Sequence, residues 1–209
     1  MLMKSTLCLS AQEILNIYER YAKKGVTLSE VALCGAKEFI ELTHYPKNDV
    51  VDLVSGYEFY YHAHPTSSTA SREHGHFHLF QRQKNQTFIH LIAISLNPQG
   101  LPVRLFTCNQ WVTGETMVES SKVIESLKDF DLEVKGRFGP IARWVSAMTT
   151  LYFYEMSTLI HARDQKLIDL EPAFDSRSQL LESKQNHELT QCDIELMTNL
   201  SQHLTITNY

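Results

Sequence analysis

Two runs decide the fold: Tyr57-Glu58-Phe59-Tyr60-Tyr61-His62-Ala63-His64 and His74-Gly75-His76-Phe77-His78-Leu79-Phe80-Gln81. Both are short, rich in aromatic residues and separated by a polar stretch of turn composition, the pattern of β-strands rather than helices. Side chains alternate faces along a strand, so parity sorts them. Odd positions (Tyr57, Phe59, Tyr61, Phe77, Leu79) are apolar and are expected to face a core. Even positions (Glu58, Tyr60, His62, His64, His74, His76, His78, Phe80) carry the histidines. Opposing His62 to His76 also opposes His64 to His74, and an even-sum register keeps the two faces distinct.

Strands are expected near 56–64, 74–81, 87–96 and 102–112. The third extends the parity pattern, with Ile89, Leu91 and Ala93 odd and His90, Ile92 and Ile94 even. A turn centred on Lys84 would set His78 against His90, and Asn97-Pro98-Gln99-Gly100 has Pro at the second position of a turn. The resulting meander would bring Thr107, Asn109 and Trp111 to the histidine face. Helical periodicity lies on both sides of it. Ser10-Ala11-Gln12-Glu13 and Thr27-Leu28-Ser29-Glu30 read as capping boxes for helices over 10–24 and 28–43. Val123, Ile124, Leu127 and Phe130 suggest one helix, and Ile141, Trp144, Val145, Met148 and Tyr152 a longer one opened by Pro140. The expected architecture is α+β: a four-stranded, mainly antiparallel sheet flanked by helices from both ends of the chain. Residues 1–180 are expected to form a single domain, and 181–209 a loosely attached C-terminal helix or tail.

The chain has ten histidines in 209 residues, and six of them fall between His62 and His90, where an even spread would place about one. All six are even-numbered. The spacing H-x-H occurs three times, in His62-Ala63-His64, His74-Gly75-His76 and His76-Phe77-His78. Two imidazoles on one strand and a third on its neighbour can converge on zinc or another late first-row ion. His62, His76, His78 and His90 are the candidate metal ligands. His64, His74 and Glu73 are the candidates for acid–base work beside the ion, with Glu58 or Glu73 available as the carboxylate of an iron centre. Thr113 would cap the helix that follows the last strand, and Glu115 is the alternative acidic contributor. Arg163 and Asp164 suit an ion pair at a helix end.

The net charge of -5 argues against nucleic acid and anionic membrane surfaces as partners. The opening residues, Met1 to Ser10, become polar too soon for a secretory signal, and no apolar run reaches the length of a membrane span, so a cytoplasmic chain is expected. Cys8, Cys34, Cys108 and Cys192 are scattered without C-x-x-C spacing and read as buried or idle thiols. No phosphate loop or dinucleotide fingerprint is present.

The strings Tyr60-Tyr61-His62-Ala63-His64, Glu73-His74-Gly75-His76-Phe77-His78 and Asn109-Gln110-Trp111-Val112-Thr113-Gly114-Glu115 resemble those of an uncharacterised bacterial protein family of unknown function, over roughly residues 28–165. Cupins also place H-x-H on a strand. Here, however, Ser68, Thr69, Arg82 and Gln83 stand where the acidic residue of the first cupin box would fall. The function expected from the residues is a metal-dependent enzyme, a hydrolase or oxygenase using Zn²⁺ or Fe²⁺ on a small-molecule substrate. The alternative is a non-catalytic module that binds a small anion or a metal ion.

Overall fold

A computed structural model describes residues 2–36, 40, 43–63, 73–84 and 87–204. The architecture is α+β, with a six-stranded sheet in place of the expected four. The strands β1 (His44–Val51), β2 (Tyr57–Ala63), β3 (Gly75–Arg82), β4 (Phe88–Leu96), β5 (Pro102–Cys108) and β6 (Glu188–Asp193) lie side by side in chain order, and every neighbouring pair is antiparallel. The helices are α1 (Leu2–Ala22), α2 (Leu28–Ala32), α3 (Gln110–Thr113), α4 (Ser120–Lys128), α5 (Gly139–Leu151), α6 (Phe153–Leu170), α7 (Arg177–Leu181) and α8 (Leu196–Leu204).

The four inner strands fall where the aromatic runs place them, although β5 stops at Cys108, short of 112. Both edge strands went unforeseen. β1 is polar and interrupted by Pro46, and β6 lies within the stretch expected to be a loosely attached helix or tail. Edge strands are half-solvated, so their sequences show little of the apolar patterning that marks a central strand. Beyond β6, α8 does form, with Leu196 and Leu200 buried in the core.

Helix boundaries depart from expectation for local reasons. α1 starts upstream of the Ser10–Glu13 box, which therefore lies inside the helix. The Thr27–Glu30 box does cap α2: the Thr27 hydroxyl accepts from Glu30 N–H and the Glu30 carboxylate accepts from Thr27 N–H. That helix nevertheless stops at Ala32 instead of running to residue 43, because Cys34 and Gly35 adopt left-handed backbone, φ 59° and 82°. The long helix opened by Pro140 is divided at Tyr152 into α5 and α6.

The odd face of β2 and β3 meets the helices as its apolar character requires. Tyr57, Phe59, Tyr61, Phe77 and Leu79 share one core cluster with Ile14 and Ile17 of α1 and Trp144, Val145 and Met148 of α5. The β2–β3 register is the expected one, with His62 opposite His76 and Tyr60 opposite His78. Between β3 and β4 it is not. Gly75 to Leu79 pair with Leu96 to Ile92, but Phe80 then pairs with His90, so β4 carries a bulge at Leu91. One extra residue reverses the parity of everything beyond it. Leu91, Ile92, Ile94 and Leu96 therefore all join the helix-side core, while Ala93, opposite His78, lies on the histidine face. The reversal carries through to β5. Phe106 pairs with Ala93 and clusters with Ala93 and Cys108, while Thr107 turns to the helix side, where it bonds Thr190.

Candidate metal centre

On the sheet face away from the helices, a row of rings runs across β2, β3 and β4. His62 and His76 stack at 5.4 Å between centroids, His76 meets the His78 ring edge-on at 4.6 Å, and His78 lies 5.1 Å from His90. His78 opposes Ala93, not His90. The two imidazoles meet because the bulge at Leu91 sets His90 opposite Phe80, on the face that His78 shares, and the small Ala93 leaves room beside His78. The result is a direct hydrogen bond, His78 Nδ1 to His90 Nε2 at 3.0 Å.

Cys108 is the third member. One ligand atom from each of His78, His90 and Cys108 lies within 4.8 Å of the other two, and all three residues are buried, at 1%, 3% and 1% exposure. Donors on a tetrahedral zinc, about 2.0–2.3 Å from the ion, stand roughly 3.3–3.8 Å apart, so the cluster fits an ion with small side-chain shifts. Two imidazoles and a thiolate are donors that zinc and copper favour. His78, His90 and Cys108 can therefore hold a metal ion.

Burial sets the protonation of this cluster. It drives His78 well below the ordinary histidine range, helped by repulsion from His76 and His90. It lowers His90 to about 3, with the Arg163 guanidinium acting in the same sense. A hydrogen bond between the His90 ring and the Ile92 backbone partly opposes this. Both rings are thus neutral near pH 7, the form that ligates metals, and a backbone contact on the other ring nitrogen orients a ligating imidazole. The Cys108 thiol is pushed well up, first by burial and then by Glu115. An ion binding there must displace its proton.

Rings enclose the cluster: Tyr60 lies 5.1 Å from His78, Phe80 5.1 Å from His90, and Phe106 6.1 Å from His78 and 5.0 Å from His76. Glu115 closes one end. Its Oε2 accepts from the His90 backbone N–H at 2.6 Å, its Oε1 is buried without a hydrogen bond, and burial raises its carboxyl to about 8 despite that bond and Arg163. Thr113 does not start the following helix; it ends α3, which Asn109 caps. Asn109 itself is buried against the Leu180 carbonyl, and Trp111 is partly exposed beneath Lys184, so neither joins the histidine face. Arg163 and Asp164 do pair, and Arg163 also donates to the Val118 carbonyl.

The other candidates are placed differently from expectation. His74 is turned to the helix side, its Nδ1 2.9 Å from the Tyr61 hydroxyl, because it precedes the first paired residue of β3 and escapes the strand's alternation. Gly75 is required beside it: a β-carbon there would overlap the His62 carbonyl and come within 2.8 Å of the Tyr61 ring. Glu73 grips Arg104 at 2.5 Å, and Arg104 also binds Glu188 and lies 4.4 Å over the Phe106 ring. Glu58 is held by Arg82. Both carboxylates considered for an iron centre are thus committed to guanidinium groups, and the donor group contains a thiol in their place. His64 lies outside the described residues. His44 was not foreseen: it stacks on Tyr60 at 3.7 Å and bonds Asp49.

Among the described residues, no helix is long and apolar enough to cross a membrane. The chain belongs to the family described as Domain of unknown function (DUF6969), whose model matches residues 9–194. The match agrees with the expected resemblance to an uncharacterised family, and it assigns no activity. No curated protein and no solved structure matches the chain.

Proposed function

We propose that this protein binds a zinc-class ion through His78, His90 and Cys108 and holds it in a dry site for storage, delivery or sensing. The observation that carries the reading is the meeting of two neutral imidazoles and a thiol, all buried, across β3, β4 and β5. Metal displaces the thiol proton, the proton between the two imidazoles shifts to the ring nitrogen that does not ligate, and the bound ion is then screened from water by Tyr60, Phe80 and Phe106. Donor burial favours retention over turnover. The enzymatic reading, a metal-dependent hydrolase acting on a small molecule, draws on a different feature: three protein donors leave a fourth position for water or substrate.

Protein purified without a histidine tag and dialysed against zinc is expected to hold one equivalent per chain by elemental analysis. Cys108→Ala and His90→Ala should each lose most of it, and His74→Ala, on the opposite face, should keep it. Full occupancy in a Cys108→Ala, His90→Ala double variant would overturn the assignment, as would failure of the parent protein to take up zinc. Hydrolysis of a small ester or amide panel by the zinc form, and its loss in Cys108→Ala, would favour the enzymatic reading.

A further inference from the structure

We infer that His62 and His76 form an outer, transient metal-binding position through which an ion reaches the His78–His90–Cys108 centre. The inference rests on that centre being the metal site. A buried site walled by Tyr60, Phe80 and Phe106 has a kinetic problem: a late first-row ion must shed its water before it arrives, and each step inward needs replacement donors. The imidazole row supplies them. His62 is half-buried, His76 is 7% exposed and His78 1%, so burial deepens step by step along the rings.

The spacing suits handover. His62 and His76 are directly paired across β2 and β3, which places their β-carbons about 4.5–5.5 Å apart, within reach of a single ion. Their rings stack 5.4 Å apart, and the next ring, His78, stands 4.6 Å further in. Two carboxylates beside these strands are already engaged, Glu58 by Arg82 and Glu73 by Arg104. The position therefore favours ions that accept imidazole, such as Zn²⁺, Co²⁺ or Cu²⁺, over Mg²⁺ or Ca²⁺, which require oxygen. It also accounts for more histidines on this face than one coordination shell uses.

Cobalt(II) is the probe, because ligation by Cys108 produces a thiolate-to-cobalt charge-transfer band that reports arrival at the inner centre. Stopped-flow mixing with metal-free protein compares the parent with His62→Phe and His76→Phe, which keep a ring in place but remove its donors. Each variant is expected to show association about tenfold slower, with dissociation slowed in parallel and the equilibrium affinity held within about threefold, since a route speeds both directions alike. Unchanged association in both variants would overturn the route. A loss of affinity matching the loss of rate would also overturn it, by placing these residues in the final site. Where His76→Phe perturbs packing, seen by circular dichroism, the half-exposed His62→Phe decides alone. A parent protein with no charge-transfer band would overturn the inner centre itself, an outcome distinct from either of these.

Discussion

Unfolding free energy of the metal-free protein, measured in chelator across pH, is expected to peak between about pH 6 and 7 and to fall on both sides. The acid limb comes from His78 and His90. Burial holds the folded-state value of His90 at about 3 against 6.5 for the free side chain, and lowers His78 in the same direction. Below pH 6.5 the unfolded chain binds protons that the folded one refuses. The His90 contribution is thus complete above that pH and is lost as pH falls toward 3, and that of His78 is lost in the same direction. The alkaline limb comes from Glu115, whose folded value of about 8 lies above the usual 4.5. Here the folded chain holds the extra proton, so the contribution is complete below pH 4.5 and is lost as pH rises through 8. Each proton is worth about 1.4 kcal/mol per pH unit, so His90 and Glu115 each account for a swing on the order of 5 kcal/mol. Below 6.5 the lowered His78 and His90 together outweigh Glu115, so stability climbs with pH; above 6.5 only Glu115 acts, and it declines. Glu115→Gln should flatten the alkaline limb and steepen the climb between pH 4.5 and 6.5. A profile level from pH 5 to 8 would show that these groups are solvated.

Truncation of Phe77 to alanine is expected to cost about 3 to 5 kcal/mol, the range for a fully buried aromatic residue. Phe77 has no exposed surface and contacts Phe59, Tyr61 and Trp144 with ring centroids 4.8–5.7 Å apart. It also sits between His76 and His78, so a collapse of its cavity would draw β3 toward α5 and loosen the imidazole row on the opposite face. Leu53→Ala provides the contrast. Leu53 is 92% exposed at the β1–β2 turn, and its loss should change stability by less than about 0.5 kcal/mol. Equal effects from the two substitutions in urea unfolding would reverse the assignment of the sheet's two faces.

Parity was enough to read β2 and β3, because both are central, unbulged and strongly two-faced. The apolar face of Tyr57, Phe59, Tyr61, Phe77 and Leu79 follows from alternation, which also requires an even-sum register; the pairing of His62 with His76 is one such register, and the sheet adopts it. It failed at Leu91. A run such as Phe88-Ile89-His90-Leu91-Ile92-Ala93-Ile94 is apolar at both parities, so its composition gives no sign of which residue is unpaired. The bulge hid the most consequential member of the site. With alternation unbroken, Cys108 would lie on the helix side and Thr107 on the histidine face; the extra residue exchanges them. His74 was misplaced for a related reason, since alternation constrains paired residues and it stands just outside β3. β1 and β6 were missed because edge strands bury little, and their pairing with β2 and β5 is set by the assembled sheet rather than by their own composition.

Titration of the metal-free protein with cobalt(II), followed by visible and near-ultraviolet absorption, tests whether His78, His90 and Cys108 together hold a metal ion. The expected result is a thiolate-to-cobalt charge-transfer band that saturates at one equivalent, disappears in Cys108→Ser and His90→Ala, and is bleached by added zinc. A cobalt complex without that band, or a band unchanged in Cys108→Ser, would contradict a metal centre built on His78, His90 and Cys108.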